Sequence, residues 1–500
     1  MEKTALEKTT ANEAARAGRG PLEKVLSIFA DTRKGEGMTA LLLMISVFLL
    51  LTSYYLLKTA REPLILESGA EIKSYSSAGQ ALLLIPTTYL YGKLAQRVGR
   101  IKLITVVTLI FASNLFIFFG LHSMHVNIGV PFFLWVGVFN MMIIAQFWSF
   151  AADVYTEAQG KRLFAIIGIG STVGAVAGSL VARELIHPIG VYGLMLAAAA
   201  FLLGSLVLVN VVHQREKRAS AAHTQLKATE DTEAKALENE QTNNDAKQAD
   251  PVIDTDAPLK GKGGFALLFS DRYLLLIAAF AFLLNCVNTN GEYILDRTLL
   301  HHVKDIIPAG PEAHRLTEEY IGSFKANYFL MFNTATVVLQ LFAVSRIIKY
   351  LGIRVALFIT PILSFAGYTT LMFMPLLGII FAVKVAENAL DYSLQNTARQ
   401  ALWLLTSRDE KYKAKSVIDA FIVRCGDFLS AAITMVGITL HFATVHFIMV
   451  NAGLVMIWLG MMWLLVREHK KREAKLYATD EERAAPAGGG ATPRRAPAAT

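Results

Sequence analysis

Cysteine is nearly absent. Cys286 and Cys425 both lie in apolar runs, which excludes a disulfide framework and leaves no Cys-x-x-Cys pair for a metal. Charge is scarce as well: 18% of the residues are Asp, Glu, Lys or Arg, against 54% hydrophobic. A soluble domain is closer to ~25% charged. The net charge of +8 is spread along the chain rather than gathered into patches, which argues against nucleic acid as a partner. His122, His125, His301 and His302 fall in expected external loops with no carboxylate set at metal spacing beside them. No nucleophile–base pair or phosphate loop is present either, so no catalytic residue, metal or cofactor is expected. The first twenty residues carry Glu2, Glu7 and Glu13 and no apolar core, and read as neither signal nor transit peptide.

What the chain has is apolar length. A membrane-spanning helix needs about 20 mostly apolar residues. Such windows recur near 38–62, 78–97, 102–124, 128–152, 162–186 and 191–212. Six more occur near 272–296, 320–346, 353–374, 376–397, 416–440 and 443–466. Between the two sets, 214–263 is polar and almost free of aromatics, and reads as a cytoplasmic linker, disordered or loosely helical. The expected divisions are a cytoplasmic segment 1–37 with a short amphipathic helix (Leu22, Val25, Leu26, Phe29), a bundle 38–213, the linker 214–263, a bundle 264–467 and a disordered cytoplasmic tail 468–500.

Basic residues test this count. Lys93, Arg97, Arg100 and Lys102 share one loop, Arg346, Lys349 and Arg354 another, and Arg467, Lys470, Lys471 and Arg472 come after the last span. The alternate loops near 122–130, 375 and 441 carry no Lys or Arg. Twelve spans with both termini in the cytoplasm require that alternation. The halves also echo each other: RVGRIKLI at 97–104 matches KYLGIRVALF at 349–358, setting Gly99 against Gly352, and Lys161 falls against Lys415. The expected fold is therefore an all-α membrane protein of twelve transmembrane helices in two pseudo-symmetric six-helix bundles, the major-facilitator arrangement.

Charges inside the spans point to function, because each costs roughly 2.5–3.5 kcal/mol near the bilayer centre and so faces water or a partner. The densest stretch is 384–427. Lys384, Glu387 and Asp391 stand at i, i+3, i+7, Lys415 and Asp419 four apart, and Arg424 and Asp427 three apart. Glu387 or Asp391 reads as a proton carrier or as the static partner of Lys384. At the end of the first span Lys58, Arg61 and Glu62 share a face, and Pro63 is expected to interrupt or bend the helix. They read as a contact for an anion or as side chains snorkelling to the surface. Asn285, Asn288, Asn290, Glu292 and Asp296 around the seventh span, with Lys325 and Asn333 in the eighth, suggest a cavity wall or interhelical glue. Phe147, Trp148 and Phe150 read as an interfacial belt or a stacking surface. Gly170, Gly174 and Gly178 form a GxxxGxxxG face for close helix packing rather than a phosphate cradle.

Three segments, LLKTAREPLILESGAEIKS, FWSFAADVYTEAQGKRLFAIIGIGSTVGAVAGS and DYSLQNTARQALWLLTSRDEKYKAKSVIDAFIVRCGD, resemble the ATP:ADP antiporter family of nucleotide transporters, in order and spacing from about Leu22 to Arg467. The resemblance implies twelve spans, adenine-nucleotide exchange and a bacterial cytoplasmic membrane. It aligns Arg61 and Glu62 with the family's basic–acidic pair, Lys415 with its lysine in KAKSVID, and Arg424 and Gly426 with the residues beyond. The chain departs from the family where Asp391 replaces a lysine and Gln400 a glutamate, and where the fourth span shows Asn140 instead of a glutamate.

The expectation is a secondary transporter that exchanges a small anionic substrate, a nucleotide or related phosphorylated anion, across the lipid bilayer. Lys58, Arg61, Lys384, Lys415 and Arg424 would bind it, and Glu62, Glu387, Asp391 and Asp419 would orient it or couple protons. Two alternatives are a proton-coupled carrier of another metabolite or drug, and a transport-inactive scaffold that uses the linker and tails.

Overall fold

A computed structural model describes residues 32–33, 36–124, 126–155, 157–237, 264–407 and 410–484. The described residues fold into helices without a strand. The first half contributes α1 (Gly37–Leu66), α2 (Ala70–Arg97), α3 (Arg100–Ser123), α4 (Gly129–Val154), α5 (157–189) and α6 (191–237). After a short helix, Gly264–Ser270, the second half contributes α7 (Arg272–Ile306), α8 (313–351), α9 (353–373), α10 (377–405), α11 (410–439) and α12 (Thr444–Ala484). The amphipathic piece at 22–29, residues 238–263 of the expected linker and the tail beyond Ala484 lie outside the described residues.

Among the described residues, seven stretches are long and apolar enough to cross a bilayer. Two of them each hold a pair of spans, divided where glycine takes a left-handed φ that other residues avoid: Gly190 at 69° and Gly352 at 77°. The remaining three spans are α2, whose first half is polar, and α10 and α11, each broken by a π-helical turn. Gly352 divides α8 from α9 as Gly99 divides α2 from α3, in keeping with the sequence repeat. Large apolar side chains face outward along the spans, among them Ile85, Leu90, Leu341 and Phe373. Water would penalise that surface; hydrocarbon does not.

Within the first half, α1 lies against α5 and α6. A Cβ on Gly174 would sit 2.5 Å from the Phe48 carbonyl oxygen, and one on Gly178 2.8 Å from the Thr52 Cα. The backbones touch there, and Thr52 donates to the Gly174 carbonyl at 3.3 Å while Ser53 donates to Ala198. The GxxxGxxxG face is thus a packing surface. Gly174→Leu is expected to destabilise the protein by at least about 1–3 kcal/mol, the usual penalty of overpacking. Gly168→Leu, at a position with open space around it, serves as the tolerated control. Thermal melting of the two purified variants in detergent checks this.

Several helices run past the expected spans, α6 to Leu237 and α7 to Ile306 among them, and three boundaries show why. The first helix runs through Pro63 to Leu66, because the ring sits in the last turn and the Glu67 N–H still reaches the Pro63 carbonyl at 3.0 Å. α2 begins at Ala70, ahead of its apolar window, since its first turns are buried against the other half. α12 continues well past Val466, where Arg472 bonds Asp271 at 2.7 Å and Glu410 at 2.8 Å. Asp271 also caps α7 by accepting from the Tyr273 N–H at 2.7 Å. The halves meet where α8 crosses α1 and α5 and where α2 runs along α7 and α11.

Candidate functional site

Four helices bring polar side chains inward at helical spacing: Lys58, Arg61 and Glu62 on α1, Lys73, Ser77 and Gln80 on α2, Asn288, Glu292 and Asp296 on α7, Lys325 and Tyr328 on α8. Together with parts of α4, α10 and α11 they enclose a cavity of about 200 Å³ between the halves. Its wall carries the charges of Lys58, Arg61, Lys73 and Arg424 against Glu62, Glu292 and Asp427.

At one end the cavity is closed by a four-membered ionic cluster. Lys73 of α2 bridges Glu62 of α1 at 2.5 Å and Asp296 of α7 at 2.6 Å. Lys325 of α8 pairs with Asp296 and reaches back to Glu62 at 3.4 Å. Each half gives one lysine and one carboxylate, and each lysine holds the carboxylate of the other half. The two lysines stand on the second helices of their halves, and the two acids toward the C-terminal ends of the first. Arg61 adds a bond to Glu62 at 2.8 Å and lies over the Phe133 ring at 4.4 Å.

Glu292 connects this cluster to a second one. It accepts from Tyr328 Oη at 2.5 Å and stands 3.7 Å from Lys325 and 3.9 Å from Lys384. Lys384 pairs with Glu387 at 2.8 Å and donates to Asn288 Oδ1 at 2.8 Å; Glu387 also accepts from Ser364 and Tyr368. On the far wall Arg424 pairs with Asp427 at 3.3 Å, and Asp427 accepts from Asn285 and Thr289 at 2.8 Å each. Lys58 is different. Its ammonium lies 4.5 Å from the Phe329 ring centre, 5.4 Å from Tyr55 and 5.5 Å from Phe332, with no carboxylate partner among the described residues.

Of the residues singled out in the sequence, Lys58, Arg61, Glu62 and Arg424 line the cavity. Lys384 and Glu387 sit one layer behind it, locked to each other. Asp391 starts a π-helical turn, Asp391–Gln395, and is not part of the wall. Lys415 and Asp419 lie outside it. Lys415 donates to Gln400 Oε1 at 2.7 Å and lies over the Trp403 ring, and Asp419 is exposed. The stretch of helix from Lys415 to Arg424 rises about 13 Å, which carries Lys415 toward the end of the span. Gln400, where the chain departs from the resembled family, is thus the partner of Lys415. Lys73 escapes sequence reasoning because its polar surroundings read as a loop; its spacing with Ser77 and Gln80 is the signal that could have found it.

Among the described residues, most polar contacts between the halves gather at the end where α1 turns into α2: the ionic cluster, Ser74 with Thr434, His187 with Glu319 and His314 with Glu67; deeper in, Asn333 of α8 accepts from Tyr55 and donates to Ser179. At the opposite end, strong pairs join helices of one half: Arg162 with Glu36, Arg100 with Glu216, Arg472 with Glu410 and Arg354 with Glu473.

Residues 43–387 match the family model described as Major Facilitator Superfamily. The chain belongs to the major facilitator superfamily. It is a multi-pass membrane protein of the secondary-transporter fold. Solved structures agree on the fold. The POT family transporter PepTSo superposes with a TM-score of 0.59 at 12% identity, covering 87% of this chain and 98% of that one. The nucleoside transporter NupG gives 0.54 at 13%, covering 87% and 98%. A bacterial homologue of the iron transporter ferroportin, in an inward-facing state, gives 0.56 at 11%, covering 86% and 98%. No curated protein matches by sequence. In this superfamily member the charged cavity is lined by helices of both halves.

Proposed function

We propose that this chain exchanges a small phosphorylated organic anion by alternating access, adenine nucleotides being the form to which the sequence resemblance points. The observation that carries this reading is Lys58, a cation lining the cavity beside Arg61 and cradled by aromatic rings rather than paired with an acid. A phosphate or carboxylate would complete it, and the rings of Phe329, Phe332 and Tyr392 offer faces for the rest of the solute. The cavity volume bounds the cargo. Ligand pockets typically run from about 300 to 1,000 Å³, so a nucleotide needs the halves to part further than they do here. The contrast between the basic loop Lys93–Lys102 and the loop 122–130, which has no Lys or Arg, favours an orientation with both termini in the cytoplasm. In that orientation the closed α1–α2 end faces outward.

The test is counterflow in proteoliposomes. Liposomes loaded with ADP are given labelled ATP, ADP, AMP, a small sugar phosphate or the uncharged nucleoside, one at a time. Saturable uptake of a phosphorylated solute that requires an internal counterpart supports the proposal. Uptake of the nucleoside alone, or of none of them, removes it.

Glu292 favours a second reading, proton coupling. It is the lining carboxylate that touches both the Lys325 cluster and the Lys384–Glu387 pair, so its protonation would loosen the link between them. That reading expects uptake that collapses with the proton gradient and needs no internal nucleotide.

A further inference from the structure

A second group of polar side chains lies at the α1–α2 end, outside the cavity. Glu67, directly after α1, faces His314 and Glu318 in the opening turns of α8. His314 Nε2 stands 2.9 Å from Glu67 Oε1, and its Nδ1 3.8 Å from Glu318 Oε2. One imidazole nitrogen and one oxygen of each carboxylate fall within 4.8 Å of one another. The group borders a groove of about 650 Å³ lined by both halves. Lys304 lines the same groove but pairs with none of the three among the described residues. Glu318 is only 15% exposed, and its Oε1 is buried with no hydrogen-bond partner among the described residues. An imidazole hydrogen bond accounts for Glu67. It does not account for a second acid that buries an unpaired oxygen beside it.

We propose that Glu67, His314 and Glu318 form a binding site for a divalent transition metal of the zinc class, and that the ion latches the two halves together at this end. Two carboxylates and a neutral imidazole supply a charge of −2 and the mixed N/O donor set that Zn²⁺, Co²⁺ and Ni²⁺ accept, whereas Ca²⁺ and Mg²⁺ favour oxygen alone. Metal–ligand bonds of about 2.0–2.2 Å put the donor atoms of a tetrahedral site a little over 3 Å apart. Glu67 and His314 are exposed and free to rotate into that geometry. Glu67 belongs to the first half, the other two to the second. The complete donor set therefore exists only while this end is closed, and an ion that binds one state shifts the population toward it.

Purified full-length protein titrated with ZnCl2, followed by thermal melting, and with CoCl2, followed by its visible absorption, tests the site. Wild type is expected to gain melting temperature with Zn²⁺ and to show a Co²⁺ spectrum. His314→Ala and the conservative Glu67→Gln are each expected to weaken apparent affinity at least about tenfold. His446→Ala, an exposed histidine outside the group, is expected to respond as wild type does. An unchanged Zn²⁺ response in His314→Ala and Glu67→Gln assigns the effect to other surface histidines and overturns the site. For the latch, spin labels at Val126→Cys and Ile306→Cys, in a background with Cys286→Ser and Cys425→Ser, report the distance between halves. Zn²⁺ should narrow that distribution to its short population in wild type and leave it broad in Glu67→Gln. Binding without any narrowing overturns the latch.

Discussion

Lys325→Ala is expected to lower stability by about 3–5 kcal/mol, the range found when one member of a buried ion pair is removed and its partner is left behind. Lys325 is 0% exposed, and the acids it serves, Glu62 and Asp296, are hardly more so. With the lysine gone, Asp296 keeps only Lys73, which it shares with Glu62, while Glu62 also keeps Arg61, so the cluster loses one positive charge beside two nearly buried carboxylates. Thermal melting in detergent reads the loss, and a variant that melts with wild type would sink the account. The cluster also has a feature that an ordinary buried pair lacks: its bonds cross between the halves in both directions. Opening this end therefore has to separate Lys73 from Asp296 and Lys325 from Glu62. The discriminating variant is Lys325→Met with Asp296→Asn, which removes one charge of each sign and leaves Lys73 paired with Glu62 inside the first half. Removing both partners of a buried pair is often close to neutral for stability, so melting should recover toward wild type. Transport should stay impaired if the cross-half bridges hold the closed end. Recovery of transport along with folding would leave the cluster a structural feature with no part in gating.

The spans could be read from the sequence because lipid imposes one simple requirement, about 20 apolar residues in a row, and because the basic loops indicate which ends lie together. The same requirement hid Lys73. Its turn of α2 is too polar to look like a span, yet it is helical because it packs against protein rather than lipid. Phase was harder to read than position. Lys384, Glu387 and Asp391 keep the spacing of one helical face, and the first two do form a pair. A π-helical turn beginning at Asp391 then inserts an extra residue and rotates the downstream side chains out of register. Two more such turns, Glu410–Ala414 and Ile418–Ile422, precede Arg424. Sequence spacing alone could not say that Arg424 returns to the cavity while Lys415 and Asp419 do not. The cross-half partners were beyond reach for a different reason. Lys73 and Asp296 are 223 residues apart, and only the folded halves bring them together.

Lys58→Ala is expected to cut the transport efficiency for an anionic solute by roughly 10- to 150-fold, the equivalent of one charge-assisted contact of about 1.5–3 kcal/mol. Lys58 is a cleaner probe than Arg61, which also neutralises Glu62 at 2.8 Å, so that Arg61→Ala disturbs the ionic cluster as well as the cargo. Lys58 has aromatic rings for neighbours, and its removal leaves no buried acid unpaired. The folded state should therefore survive, with melting close to wild type, while uptake fails. Lys58→Arg keeps the charge but brings a flat, wider head group into the rings, and should recover part of the rate. Lys415→Ala is the opposing case. The resemblance aligns it with the family's functional segment, but the geometry bonds it to Gln400 outside the cavity. If the cavity is where the anion binds, this variant keeps its affinity within about twofold, because a lost exposed contact is worth well under ~1 kcal/mol. Initial rates against substrate concentration separate the two lysines. A large rise in KM for Lys415→Ala beside an unaffected Lys58→Ala would move the binding site away from the aromatic cradle and toward the end of α11.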